Sequence, residues 1–95
     1  MDYFVYILKS CSLEKFYIGC TSDLQKRLLS HNQGKTKSTK PYKPWKLIYS
    51  GKFNSKTDAF KREWHLKHPK GYLEILEIIK KYKESSKELI RGGFA

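Results

Sequence analysis

Glu63 is an acid in a place where a helix should be apolar. In the run KTDAFKREWHLK, residues 56–67, a helical step of about 100° per residue gathers Ala59, Phe60, Trp64 and Leu66 into one broad arc, and Glu63 falls near its middle. A carboxylate turned toward a core is costly unless it is paired, protonated or bound to a cation. An earlier segment supplies candidate partners: Arg27 and His31, spaced to share a helix face, lie beside the Leu24–Leu28 stripe. Two tyrosines, Tyr6 and Tyr17, stand in the short apolar runs YFVYIL and FYIGC. One reading is an internal Arg27–Glu63 ion pair with His31 as its hydrogen-bonded neighbour. The other is a site at the edge of the buried surface where arginine, histidine, glutamate and two phenols meet. The convergence of all five favours the site.

The elements that must carry these residues follow from local signals. YFVYIL (3–8) is β-branched and aromatic and reads as a strand buried on both faces. FYIG reads as a second, shorter strand, joined to the first as an antiparallel hairpin through the polar connector KSCSLEK. In TSDLQKRLLSHNQG, Ser22 is the expected cap, Asp23 suits the positive helix end and Gly34 the stop, with Leu24, Leu28 and either Leu29 or His31 toward the sheet. KLIYSGKF (46–53) reads as a third strand. A second helix begins near Ser55, with Asp58 placed as in a capping box, and is expected to stop at Pro69 and Gly71. YLEILEIIKKYK makes a further amphipathic helix, expected to cover the sheet, with support of a dimer as the alternative. The expected architecture is α+β, a small and mainly antiparallel three-stranded sheet flanked by helices. One domain spans 1–83, and 84–95 is a weakly patterned tail that frays or docks through Leu89, Ile90 and Phe94.

Charge points to the partner. Lys and Arg number 20 against 9 Asp and Glu, a net +11 spread over both halves of the chain. Such a density of positive charge attracts polyanions through phosphate neutralisation and counterion release, so nucleic acid is the leading partner class. The segment KTKSTKPYKPWK (35–46) concentrates Lys35, Lys37, Lys40, Lys43 and Lys46 with two prolines and no acid, the composition of a phosphate-contacting surface loop. Tyr42 and Trp45 are interleaved there, and Trp45 is expected to fold inward. The start lacks the basic region of a secretion signal, and no apolar run approaches the roughly 20 residues needed to cross a bilayer. Cys11 and Cys20 make no disulfide framework, which sets the cytoplasm as the expected compartment. His65 and His68 with the two cysteines fit no standard zinc spacing.

Taken in order, Phe-Val-Tyr (4–6), Tyr-Ile-Gly (17–19), Arg27, His31 and Arg-Glu-Trp with Glu63 resemble the GIY-YIG nuclease superfamily. The likeness covers about residues 3–67 and is to its small bacterial members, similar to the catalytic domain of the excision-repair nuclease subunit. The resemblance implies a metal-dependent endonuclease hydrolysing phosphodiester bonds in DNA, in repair or recombination, with one Mg²⁺ or Mn²⁺ ion. It implies Glu63 as the metal-anchoring carboxylate, Arg27 as the holder of the scissile phosphate, and Tyr6 and Tyr17 lining the site. One of the tyrosines would orient or deprotonate the attacking water, and His31 would assist as base or hydrogen-bond donor. Gly19 matches a position with little room for a side chain. The chemistry is consistent: charge developing on phosphoryl oxygens is stabilised by a fixed arginine and a divalent cation. A phenol with an ordinary pKa of about 10 needs nearby cations to act as base, whereas imidazole titrates near neutrality, and the choice among Tyr6, Tyr17 and His31 stays open. The sequence departs from the family in three places: Phe-Val-Tyr replaces Gly-Ile-Tyr, no asparagine follows Glu63, and Cys20 stands where a lysine sometimes occurs. The alternative expectation is a catalytically inactive nucleic-acid-binding module, and a third is an interaction protein whose polar cluster is structural. The expected partner is DNA, with RNA left open; no membrane is expected, and the expected state is a monomer, with a dimer as the alternative.

Overall fold

The β-branched and aromatic run near the start becomes the middle strand of a three-stranded sheet. The computed structural model describes residues 2–94, with side chains for all of these except Lys70 and residues 85–94. In it β1 (Tyr3–Ser10) pairs antiparallel with β2 (Phe16–Thr21) on one edge and with β3 (Trp45–Phe53) on the other, in the order β2-β1-β3. A central strand is covered on both sides, and β1 is apolar accordingly: Val5 and Ile7 face one layer, Tyr6 and Leu8 the other, all buried. A bulge between Ile7 and Leu8 sets Ile7 against Tyr49 and Leu8 against Leu47. Because of that extra residue, Trp45 and Leu47 join the Tyr6 side while Ile48 and Tyr49 both join the Val5 side.

Helices cover both faces. α1 (Leu24–Asn32) lays Leu24 and Leu28 on the Tyr6–Leu8 side, while α2 (Lys56–Lys67) and α3 (Pro69–Phe94) cover the other with Ala59, Leu66, Ile75 and Ile78. The fold is therefore α+β, with one antiparallel sheet between helical layers, as expected from the sequence. No helix among the described residues is long and apolar enough to cross a membrane.

Some element ends differ from expectation and others match it. Asp23, not Ser22, caps α1: its extended backbone lets the carboxylate accept the Lys26 N–H at 3.1 Å, so the helix starts one residue later. Gly34, at φ +75°, takes the left-handed conformation that ends the helix, and of the two alternatives His31 is buried while Leu29 is exposed. Ser55 caps α2 through the Asp58 N–H at 3.2 Å. α2 stops at Lys67, just before Pro69 as expected, but Pro69 and Gly71 do not open a loop. Pro69 is the first residue of α3, where its missing N–H forfeits no helical bond, and only His68 separates the two helices. Gly71 lets the helices approach closely, since a Cβ there would run into the His65 carbonyl and lie 2.8 Å from Leu66 Cα. α3 continues as helix to Phe94, and the docking expected of Leu89, Ile90 and Phe94 concerns side chains outside the described residues.

The lysine-rich loop is tied down at its far end. Trp45 is buried as expected, and its indole N–H donates to the Thr39 carbonyl at 2.9 Å. The Asn32 side chain imitates a strand neighbour: its Oδ1 accepts the Trp45 N–H at 2.5 Å and its Nδ2 donates to the Trp45 carbonyl at 3.1 Å.

Candidate active site

Tyr6 lies over β2 because Gly19 stands opposite it. The two are cross-strand partners, and a Cβ on Gly19 would sit 2.5 Å from Tyr6 Oη and 2.9 Å from Tyr17 Cε1. Only a residue without a side chain leaves room for both phenol rings, whose centres are 6.1 Å apart, with the His31 imidazole 4.7 Å from Tyr17.

The hydrogen bonds among these groups have one possible direction. Arg27 Nε donates to Tyr6 Oη at 3.3 Å, and arginine carries donors only. The phenol oxygen accepts there and keeps its proton available for His31 Nε2, 3.1 Å away. The other end of the chain fixes the direction: the Thr36 carbonyl only accepts, so it takes the Thr39 Oγ1 proton at 3.3 Å, His31 Nδ1–H donates to Thr39 Oγ1 at 2.9 Å, and the neutral imidazole accepts the Tyr6 proton at Nε2. Burial, with the neighbouring Arg27 charge, holds His31 below the usual imidazole range, which keeps it in that neutral tautomer. Burial also pushes Tyr6 up to about 12, against the opposing hydrogen bond from Arg27 and with the Tyr17 and Glu63 charges adding to the rise. Hydrogen bonding to Tyr6, more than to Tyr17, outweighs burial and strengthens the Arg27 charge.

Accessibility divides the five expected site residues. His31 and Tyr6 are 0% and 1% exposed, whereas Tyr17, Arg27 and Glu63 are half-buried and reach solvent. Arg27 opens into a cleft of about 410 Å³ that it shares with Thr21, Ser22, Asp23, Lys26 and Ser30, a lining of hydroxyls and cations with one carboxylate. Glu63 comes from α2, across the sheet from α1. Its side chain is 20% exposed and its ion-pair partner among the described residues is Lys67, at 3.7 Å, rather than Arg27. Its charge is felt by the Tyr6 phenol and by the Cys20 thiol, which burial foremost, then Glu63, pushes up. The internal Arg27–Glu63 pair is thus not formed, and Arg27 turns to the phenols.

The apolar arc expected on α2 is narrower than its sequence suggests. Ala59 and Leu66 are buried, but Phe60 and Trp64 are 48% and 62% exposed. What turns the helix is a residue the sequence left unassigned. Arg62 makes a two-pronged ion pair with Glu74 of α3, one prong at 3.0 Å, and its guanidinium lies 5.9 Å from the Tyr49 ring centre. The bond to Arg62 holds Glu74 below the usual carboxylate range. With Arg62 drawn to the α3 side, Glu63 projects on the other flank. Nothing in the local sequence marks that pair, because its partners lie on different helices.

Of the expected phosphate-contacting lysines, Lys35, Lys37, Lys40 and Lys43 are exposed on the loop after α1. Lys46 is not with them: it belongs to β3 and its ammonium lies 5.6 Å from the Tyr82 ring of α3, on the other side of the sheet. His65 is 3.6 Å from Glu74 and His68 stacks on Trp64, so neither joins the cysteines. No group of three potential ligands from His, Cys, Asp and Glu gathers among the described residues. A single half-buried carboxylate fits a hard, well-hydrated divalent cation such as Mg²⁺, which keeps several waters and takes substrate oxygens as further ligands.

Comparison with known proteins places the chain in a family. Residues 2–87 match the GIY-YIG catalytic domain. The chain is 47% identical over 80 residues to the UPF0213 protein YsiG of Lactococcus lactis, covering 83% of this chain and 76% of that protein. It is 36% identical over 90 residues to the UPF0213 protein YazA of Bacillus subtilis, covering 94% and 88%. The solution structure of the UPF0213 protein BH0048 from Bacillus halodurans superposes with a TM-score of 0.50 at 28% identity, covering 82% of this chain and 85% of that one. By the family match and these relatives, the chain belongs to the GIY-YIG family of nuclease domains, alongside the UPF0213 proteins.

Proposed function

We propose that this protein is a divalent-metal-dependent endonuclease that hydrolyses phosphodiester bonds in DNA, serving repair or recombination in the cytoplasm as a monomer. The observation that carries the reading is the split in exposure. Three groups reach solvent, Tyr17, Arg27 and Glu63, and the two behind them, Tyr6 and His31, are sealed and bonded in series to Arg27. Arg27 holds the scissile phosphate in its hydroxyl-lined cleft and neutralises charge developing on the phosphoryl oxygens. Tyr17, beside it, orients the attacking water through its phenol oxygen. Tyr6 and His31 are positioning residues: a phenol raised to about 12 stays protonated, so it serves as a fixed dipole that aims the guanidinium. Glu63 is the residue that holds Mg²⁺ or Mn²⁺, which when bound supplies Lewis acidity toward the phosphodiester. Lys35, Lys37, Lys40 and Lys43 contribute phosphate contacts along the duplex or branch that leads to the site.

A second reading, a nucleic-acid-binding module without turnover, draws on the Lys67–Glu63 contact and on the lack of an asparagine after Glu63. Incubation with supercoiled plasmid and with flap DNA, with Mg²⁺ or Mn²⁺, separates the two. The nuclease reading expects metal-dependent cleavage, abolished by Tyr17→Phe and lowered roughly 10- to 100-fold by Tyr6→Phe. Metal-independent binding with no cleavage of any substrate selects the module, and full activity in Tyr17→Phe removes that phenol from the mechanism.

A further inference from the structure

α2 carries two large aromatic side chains that the core does not use. Phe60 and Trp64, 48% and 62% exposed, line a surface cleft of about 340 Å³ with Thr57 and Lys61. They lie on the Glu63 flank of the helix and not on the Arg62 flank that α3 occupies. Helical geometry puts Phe60 about 60° and Trp64 about 100° round the axis from Glu63, with Lys56 and Lys67 between them and Glu63. From Glu63 outward this sector holds cations and aromatic rings and no second acid.

Both rings are already held. The His68 imidazole stacks on one face of the Trp64 indole, with centres 3.4 Å apart and planes at 28°. His68 is fixed in turn by its Nδ1–H, which donates to the Trp64 carbonyl at 2.6 Å. The Lys56 ammonium lies 5.4 Å from the Phe60 ring centre. An exposed aromatic pair costs solubility, and one held in place by its neighbours loses little entropy when something stacks on it.

We propose that Phe60 and Trp64 form a stacking platform for unpaired DNA bases beside the phosphodiester cut at Glu63, making DNA with a single-stranded segment the substrate. The occupant follows from charge. A chain carrying +11 repels a second copy of itself, and Lys56, Lys61 and Lys67 around the rings favour a polyanion. Stacked duplex bases offer no free faces to such rings, whereas single strands do, and base–aromatic stacking with cationic flanks is the usual way to hold them. The inference takes its substrate from the nuclease reading but does not need turnover to be tested.

The chain's two tryptophans give the readout, since Trp64 is exposed and Trp45 buried. Titration with oligo-dT in the absence of divalent ions should quench tryptophan emission, and Trp64→Ala should abolish the quenching and weaken binding about tenfold or more, with Phe60→Ala intermediate. Because stacking is not ionic, the salt slope of binding should be the same in Trp64→Ala as in the original protein. Blunt duplex should bind with little quenching. Equal affinity for duplex and oligo-dT, unchanged binding by Trp64→Ala, or binding of oligo-U in preference to oligo-dT would each overturn the proposal, as would a dimer in sedimentation that Trp64→Ala converts to monomer. A protein that binds oligo-dT through Trp64 yet cleaves nothing would sink the nuclease reading and leave Phe60 and Trp64 as a stacking platform for a bound, uncut strand.

Discussion

His31 receives a proton in hydrogen bond from Tyr6 and gives one to Thr39, so a second proton on Nε2 would break the chain that aims Arg27. The sign of the pH dependence follows. An unfolded histidine protonates near about 6.5, the buried one lower, and between the two values the unfolded chain holds more protons. Stability therefore falls as pH drops through that window and is unaffected above it. Thermal midpoints recorded from about pH 8 to about pH 5 should decline, and His31→Gln should flatten much of the decline; an equal decline in the variant would assign it to other groups. The candidate residues themselves were legible: motif order singled out Tyr6, Tyr17, Arg27, His31 and Glu63, and Glu63 was visible as an acid on an apolar face. The hydrogen-bonded chain among Arg27, Tyr6 and His31 was not. Thr39 reaches His31 from a loop, and that contact, which sets the imidazole tautomer, has no local signature. Phe60 and Trp64 were assigned to the core because periodicity finds an arc but not which part of it meets the sheet.

Among the elements, strands and helix starts could be read from local chemistry: β-branched runs, Ser55 before its helix, Gly34 after another. The corner between α2 and α3 could not, because proline ends one helix as readily as it begins the next, and only packing decides. That corner orients Glu63, through the Arg62–Glu74 pair and the close approach at Gly71. Gly71 offers a sharp check. In an exposed helix alanine is better than glycine by about 1 kcal/mol, but here a methyl group would meet the His65 carbonyl and the Leu66 backbone. Gly71→Ala should therefore destabilise the protein by about 1–3 kcal/mol in urea unfolding, with the m-value unchanged. A variant as stable as the original, or more so, would show that the helices are not in such close contact.

At the scale of the molecule, the sheet separates two kinds of work. One face, under α1, holds the phenol–histidine–arginine chain; the other, under α2 and α3, holds the larger apolar core and delivers the carboxylate. Net charge foretold the class of partner but not its placement, since Lys46, read with the loop, belongs to the α3 side. Positive charge supplies affinity for any nucleic acid, so binding alone does not test whether the site cuts. The carboxylate does, because it is the residue whose removal should spare affinity while stopping chemistry. The decisive measurement is Mg²⁺-dependent cleavage by Glu63→Gln set beside its DNA affinity. The account predicts a loss of at least about a hundredfold in cleavage with binding unchanged or slightly tighter, since one negative charge has gone. Cleavage at the original rate by Glu63→Gln would contradict it.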